Sequence, residues 1–204
     1  MPLTLEDLET SPLVIHLHPV LQMTADQFFE FCVLNRDLQI ERTAQGDILI
    51  MSPEGWETGG RDAELTAQLR VWAKRDGTGV ASGSSTGFVL PNGATRSPDA
   101  AWVLKTRLGH LTRKQKEKFL PLCPDFVVEL RSPTDRLARL KEKMEEYREN
   151  GARLGWLIDP VERKVYVYRP NGEVEIADNP QTVSGDPVLP GFVLELGEIW
   201  EPAL

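Results

Sequence analysis

The chain has 204 residues, with 23 Lys and Arg against 31 Asp and Glu, a formal charge of −8. That length fits one domain with a core that needs no staples. The acidic balance excludes a protein that coats nucleic acid non-specifically, which requires surplus Lys and Arg, while leaving room for a local basic patch or an acidic site that meets phosphate through metal ions. Cys32 and Cys123 are far apart and form no C-x-x-C pair, so neither a disulfide scaffold nor a Cys-based zinc site is expected. No apolar run approaches 18 residues and no signal peptide is read at the N-terminus, so a soluble, cytoplasmic protein with no membrane partner is expected.

In chain order, residues 1–21 read as an N-terminal extension and 22–204 as a single domain. Thr24-Ala-Asp-Gln27 is a capping box that opens a helix with Phe28, Phe29, Phe31 and Cys32 on its apolar side. Leu38-Gln-Ile-Glu-Arg42 and Asp47-Ile-Leu-Ile-Met-Ser52 form a hairpin. Leu65, Leu69 and Trp72 recur at helical spacing and predict a helix from about Arg61 to Lys74, closed by Asp76-Gly77. Short strands follow at 79–82, 86–90 and 98–104, and then a basic helical connector from Thr112 to Lys118. Phe126-Val-Val-Glu-Leu130 is nearly all apolar, as a central strand covered on both faces would be. A helix from about Arg136 to Glu149 ends at Asn150-Gly151, and Leu154-Gly-Trp-Leu-Ile-Asp159 returns as another buried strand. This strand–helix–strand order predicts a parallel pair. The strand Val165–Arg169 and the run Glu173–Ile176 form a hairpin around Pro170-Asn-Gly172. The class is α/β, with a central mixed sheet flanked by helices and peripheral β-hairpins.

Asp99 opens one strand and Glu129 lies near the end of another. Two carboxylates brought together at strand ends suit a hard divalent cation, which takes a few protein oxygens plus water and phosphate. Such a site serves phosphodiester hydrolysis by polarising the phosphoryl oxygen and lowering the pKa of the attacking water. A second Pro-Asp pair, Pro124-Asp125, competes with Pro98-Asp99. Asp125 and Glu129 lie on one strand, about 13 Å apart at ~3.3 Å per residue, too far to share a metal.

Ser97-Pro-Asp99-Ala-Ala-Trp102, Pro124-Asp-Phe-Val-Val-Glu129-Leu-Arg-Ser-Pro133, Lys143-Met-Glu-Glu-Tyr147 with Asn150-Gly151, and Gly155-Trp-Leu-Ile-Asp159-Pro160 occur in that order. Together they resemble the Uma2 family, a restriction-endonuclease-like branch of the PD-(D/E)XK nuclease superfamily, from about residue 22 to Trp200. The resemblance implies a restriction-endonuclease-like core, a divalent metal (Mg²⁺ or Mn²⁺), and hydrolysis of DNA. It assigns Asp99 and Glu129 as the metal-holding acids. Two residues beyond Glu129 the pattern wants lysine and this chain has Arg131, which cannot give up a proton. Lys143, on the following helix, is the candidate for a relocated lysine, with Arg131 as its rival on the face shared by alternate strand residues. Lys143 flanks the stripe Leu137, Leu140, Met144, Tyr147, so its loss is expected to stop cleavage while leaving the fold intact.

Glu64 is the candidate for a further metal ligand from the early helix, although it points about 100° away from the apolar stripe, with Asp62 and Gln68 as rivals. Lys105, Arg107, Arg113, Lys114, Lys116 and Lys118 form a local basic run, a candidate phosphate track. Duplex cleavage needs two active sites or two visits, so a homodimer is expected. The alternative is a nuclease-like fold without turnover that serves as a nucleic-acid-binding or assembly module.

Overall fold

The computed structural model describes residues 12–202. Residues 1–11 of the expected extension lie outside them. The rest of that extension is built into the fold, because β1 (Leu13–Ile15) pairs antiparallel with β3 (Ile48–Met51).

Six strands form the central sheet. They are β4 (Gly79–Gly83), β7 (Ala100–Leu104), β8 (Phe126–Leu130), β9 (Leu154–Asp159), β10 (Lys164–Tyr168) and β11 (Glu175–Asp178). Their spatial order is β11-β10-β9-β8-β7-β4, with β8 and β9 parallel and the other pairs antiparallel. The parallel pair is joined by α5 (Leu137–Glu149), as strands needing a crossover must be. Every residue of β8 and β9 is buried, which is why both read as continuous apolar runs.

Period-2 alternation sorts β8 onto two faces. Phe126, Val128 and Leu130 pack toward Leu65 and Leu69 of α2 (Trp56–Asp76) and toward the C-terminal segment. Val127 packs against Met144 and Tyr147 of α5 on the other face. Glu129 therefore projects on the α5 side. Gly155 lets α5 lie close, since a Cβ there would stand 2.5 Å from the Met144 Cε. The C-terminal segment adds a hairpin of β12 (Thr182–Ser184) and β13 (Val193–Glu195) and the short α6 (Gly197–Trp200), which the sequence pattern did not reveal.

A second, five-stranded sheet runs β1-β3-β2-β6-β5, where β2 is Gln39–Arg42, β5 is Phe88–Val89 and β6 is Thr95–Arg96. It packs with α1 (Ala25–Leu34), whose capping box forms as expected between Thr24 and Gln27. The helix expected from Arg61 begins a full turn earlier, at Trp56, running through Gly59-Gly60. The basic connector divides into α3 (Lys105–Gly109) and α4 (Arg113–Lys116). Among the described residues no helix is long and apolar enough to cross a membrane.

Candidate active site

The two sheets, the start of α2 and the start of α5 enclose a cleft of about 790 Å³. Its floor is the end of the six-stranded sheet where β8 finishes and β7 begins. Asp99 immediately precedes β7, and its Oδ2 accepts the Leu130 N–H at 2.6 Å. That bond ties the start of one strand to the end of its neighbour and sets Asp99 beside Glu129. Glu129 is 3% exposed, and it accepts the Tyr147 hydroxyl at 3.0 Å and the Lys143 ammonium at 2.9 Å. Three of the four residues expected to carry chemistry thus meet at one place: Asp99, Glu129 and Lys143.

Lys143 is held from two sides. Its Nζ lies 2.9 Å from Glu129 and 2.9 Å from Glu41, a β2 residue only 2% exposed. Glu41 also accepts the Ser97 N–H at 2.8 Å and pairs with Arg96 at 3.1 Å. Arg96 in turn pairs with Glu146 of α5. The five-stranded sheet therefore reaches into the site through one buried carboxylate that touches both the lysine and the backbone two residues before Asp99.

Burial is the largest influence on each of these groups. It pushes the Asp99 carboxyl well above the usual range, with the neighbouring Glu129 charge adding to the rise and Lys143 opposing it. Burial also raises Glu129, to about 7, although Lys143 works against the rise. Burial works against the Lys143 charge, but Glu129 and Glu41 outweigh it and raise its pKa, keeping it an ammonium. Glu41 goes down, since Lys143 and Arg96 overcome its desolvation.

The remaining expected residues lie elsewhere. Arg131 leaves the strand pattern where β8 ends; its guanidinium donates to Asp159 Oδ2 at 2.8 Å and to the Asp135 carbonyl. It is occupied in closing the end of β9, where Asp159 is 0% exposed, and it does not line the cleft. Glu64 faces the other side of α2, where it accepts from Gln68, which also bonds the Glu195 backbone. Asp62, the rival from the same helix, lies on its buried side without lining the cleft. It lies at helical spacing with the buried Thr58, Leu65 and Leu69, and its charge acts on Asp99. Its Oδ2 accepts the Ser84 hydroxyl, while its Oδ1 is buried with no hydrogen-bond partner.

The basic run does not reach the cleft. Lys105 begins at the far end of β7 from Asp99, about 20 Å away over six residues at ~3.4 Å each. Four of the six cations hold local partners: Lys105 the Gly77 carbonyl, Arg107 the buried Asp125, Arg113 Glu117, and Lys118 Asp26. None of the six lines the cleft. Asp125 likewise serves structure, accepting the Leu104 N–H beside Arg107.

Among the described residues no group of three His, Cys, Asp or Glu stands in ligand geometry around one point, and the Lys143 ammonium pairs with both Glu129 and Glu41. The donor chemistry nonetheless suits a hard divalent ion. Asp99 and Glu129 are oxygen donors on the cleft, and the charge of Asp62 is felt at Asp99. A bound divalent cation would favour the charged forms of Asp99 and Glu129, which burial disfavours, and would offer a partner to the unpaired Asp62 oxygen.

The Uma2 family model, described as "Putative restriction endonuclease", matches residues 25–197. The chain belongs to the Uma2 family. The solved structure of "a putative nuclease belonging to DUF820" from Anabaena variabilis ATCC 29413 superposes with a TM-score of 0.70 at 20% identity, covering 87% of this chain and 97% of that one. Its likeness is one of fold. No curated protein matches the chain. The family description supports a nuclease of restriction-endonuclease-like type.

Proposed function

We propose that this Uma2 protein is a metal-dependent nuclease that hydrolyses DNA phosphodiester bonds in the cleft holding Asp99, Glu129 and Lys143. The observation that carries this reading is the convergence of those three side chains from three separate elements, one of them a charged lysine in bond distance of a catalytic-type carboxylate. Asp99 and Glu129 would hold Mg²⁺ or Mn²⁺, with Asp62 as a further oxygen donor in place of Glu64. When bound, such an ion supplies Lewis acidity and a lowered water pKa.

The protein's own contribution is positional and electrostatic. The Leu130 N–H fixes one oxygen of Asp99, a residue that lines the cleft. Lys143 stays protonated between its two carboxylates, so it acts as a compact positive charge beside developing phosphoryl negative charge rather than as a proton acceptor. Glu41 and Tyr147 orient that pair. Arg131 has no part in this scheme, because its guanidinium is committed to Asp159.

The alternative is a binding module without turnover, and the ion-paired Lys143 across the carboxylates is the observation in its favour. Calorimetric titration of Mg²⁺ and Mn²⁺ into wild type and Asp99→Asn, alongside cleavage of a plasmid and a single-stranded oligonucleotide, decides. Metal binding lost in Asp99→Asn together with metal-dependent cleavage by wild type supports the nuclease. Tight DNA binding without cleavage in either metal supports the module. A homodimer remains the proposed state, which sedimentation equilibrium tests.

A further inference from the structure

Trp56 is 86% exposed, while Trp102, Trp156 and Trp200 are buried and Trp72 is half-buried. Trp56 stands at the first position of α2 and lines the same cleft as Asp99 and Glu129. Its indole offers a large, rigid aromatic face to whatever enters the cleft. The apolar part of the lining that leads to it is Leu49 and Met51 of β3 and then Pro53, with Glu54 and Glu57 flanking Trp56 itself. On the α5 side the same cleft is lined by Arg139, a half-buried guanidinium whose charge is disfavoured by burial and by Arg96. An aromatic face, an apolar wall and a cation beside a phosphodiester site match the parts of a nucleotide: base, sugar and phosphate.

The cleft's size limits what can enter. A volume of about 790 Å³ lies in the range of small-ligand sites. It takes a short stretch of one strand and does not enclose a double helix. Stacking on an aromatic face is also tolerant of base identity, because every base has a π-face.

We infer that the cleft admits an unpaired strand, with Trp56 stacking one of its bases and Arg139 holding a flanking phosphate. This rests on the nuclease reading of the cleft and narrows its substrate to single-stranded DNA or unpaired ends over intact duplex.

The test uses the full chain with Ca²⁺ as the cation, a twelve-residue oligothymidylate, and a blunt twelve-base-pair duplex. Oligothymidylate should quench the intrinsic fluorescence, which has one strongly exposed indole, and bind at least tenfold more tightly than duplex. Trp56→Ala should weaken oligothymidylate binding by about 5- to 150-fold, the equivalent of ~1–3 kcal/mol per stacked base. Trp56→Phe should stay within a few fold of wild type, and Arg139→Gln should weaken binding and flatten its salt dependence. Circular dichroism melts should be unmoved in both Trp56 variants. Duplex binding as tight as oligothymidylate binding would overturn the inference, as would a Trp56→Ala variant that binds like wild type. A Trp56→Ala variant that changes the sedimentation mass while binding strand normally would make Trp56 a contact between copies, which also overturns it. Duplex cut equally by wild type and Trp56→Ala would sink this inference alone. Failure to bind or cut either DNA with Mg²⁺ or Mn²⁺ would sink the nuclease reading with it.

Discussion

Lys143→Ala removes the one cation shared by Glu129 and Glu41, each within 2.9 Å of its Nζ. Both carboxylates are buried, so the variant differs from an ordinary surface truncation. Removing one partner of a buried pair costs about 3–5 kcal/mol when the other charge has nowhere to go. Protonation offers Glu129 an escape. Its pKa is already raised from 4.5 to about 7 with the lysine present, and losing the lysine raises it further. A carboxyl raised in the folded state contributes stability that is fully present below its unfolded value and is lost as pH rises through its folded value. In the wild type that interval, 4.5 to about 7, corresponds to about 3 kcal/mol at ~1.36 kcal/mol per pH unit. In Lys143→Ala the interval widens, so the added penalty grows with pH. Urea unfolding should show a loss of about 3–5 kcal/mol at pH 8. At pH 5.5 it should fall to about 1–2 kcal/mol, the share of Glu41, which keeps Arg96 and the Ser97 amide. Lys143→Met combined with Glu129→Gln should recover most of the pH 8 loss. A loss below about 1 kcal/mol at pH 8, or one equal at both pH values, would refute the electrostatic account. The expectation that Lys143 could be removed without touching the fold is replaced by this one, because the lysine is enclosed rather than merely flanking the core.

Three further outcomes follow from the same geometry. Asp62→Asn should weaken Mn²⁺ binding by tenfold or more in calorimetry, while Glu64→Gln, on the other side of α2, leaves it unchanged. Arg131→Ala should lower stability by about 2–4 kcal/mol, since it strands the buried Asp159 carboxylate with only the Val161 and Glu162 amides; if folding is kept cold and intact, cleavage per folded molecule should match wild type. Lys114→Gln with Lys116→Gln should leave both DNA affinity and the slope of log affinity against log salt unchanged, because that run lies beyond the far end of β7; a slope reduced by about 1–2 would restore it as a phosphate track.

The core of the fold was legible because its signals are local and repeat. Continuous apolar runs announced β8 and β9, the Leu137, Leu140, Met144, Tyr147 stripe announced α5, and Asn150-Gly151 ended it where Gly151 has φ +104°. The C-terminal β12–β13 hairpin and α6 were missed since their strands are three residues long, too short for alternation to register. Helix α2 began early because Gly59 and Gly60 carry a low helix propensity that packing at Thr58 and Leu65 overrides.

At the site the sequence made one residue visible and hid another for the same physical reason. Asp62, named in the sequence only as a rival to Glu64, had the stronger signal: it shares the helical spacing of Thr58, Leu65 and Leu69, and an acid on a buried stripe must have a cation or a donor to meet. Glu64, chosen for its place in the helix, fails that same criterion. Glu41 had no such signal. It alternates with Ile40 on a short strand, the pattern of a solvated outer face, and in this protein that face is turned onto Lys143 by the packing of one sheet against the other. Periodicity reports which side of an element is apolar and not what the polar side meets. The contact between Glu41 and Lys143 spans 102 positions in the chain, so only the tertiary structure could show it. That separation also makes Glu41 a test of the whole scheme. Glu41→Gln keeps the shape but removes one of the two charges holding Lys143 an ammonium, and leaves Arg96 with Glu146 as its remaining carboxylate partner. If Lys143 acts as a fixed positive charge, Glu41→Gln should lower cleavage by about tenfold through its orientation and leave Mn²⁺ affinity nearly unchanged. Unaltered cleavage would mean that Glu129 alone positions the lysine and that Glu41 serves only to join the two sheets.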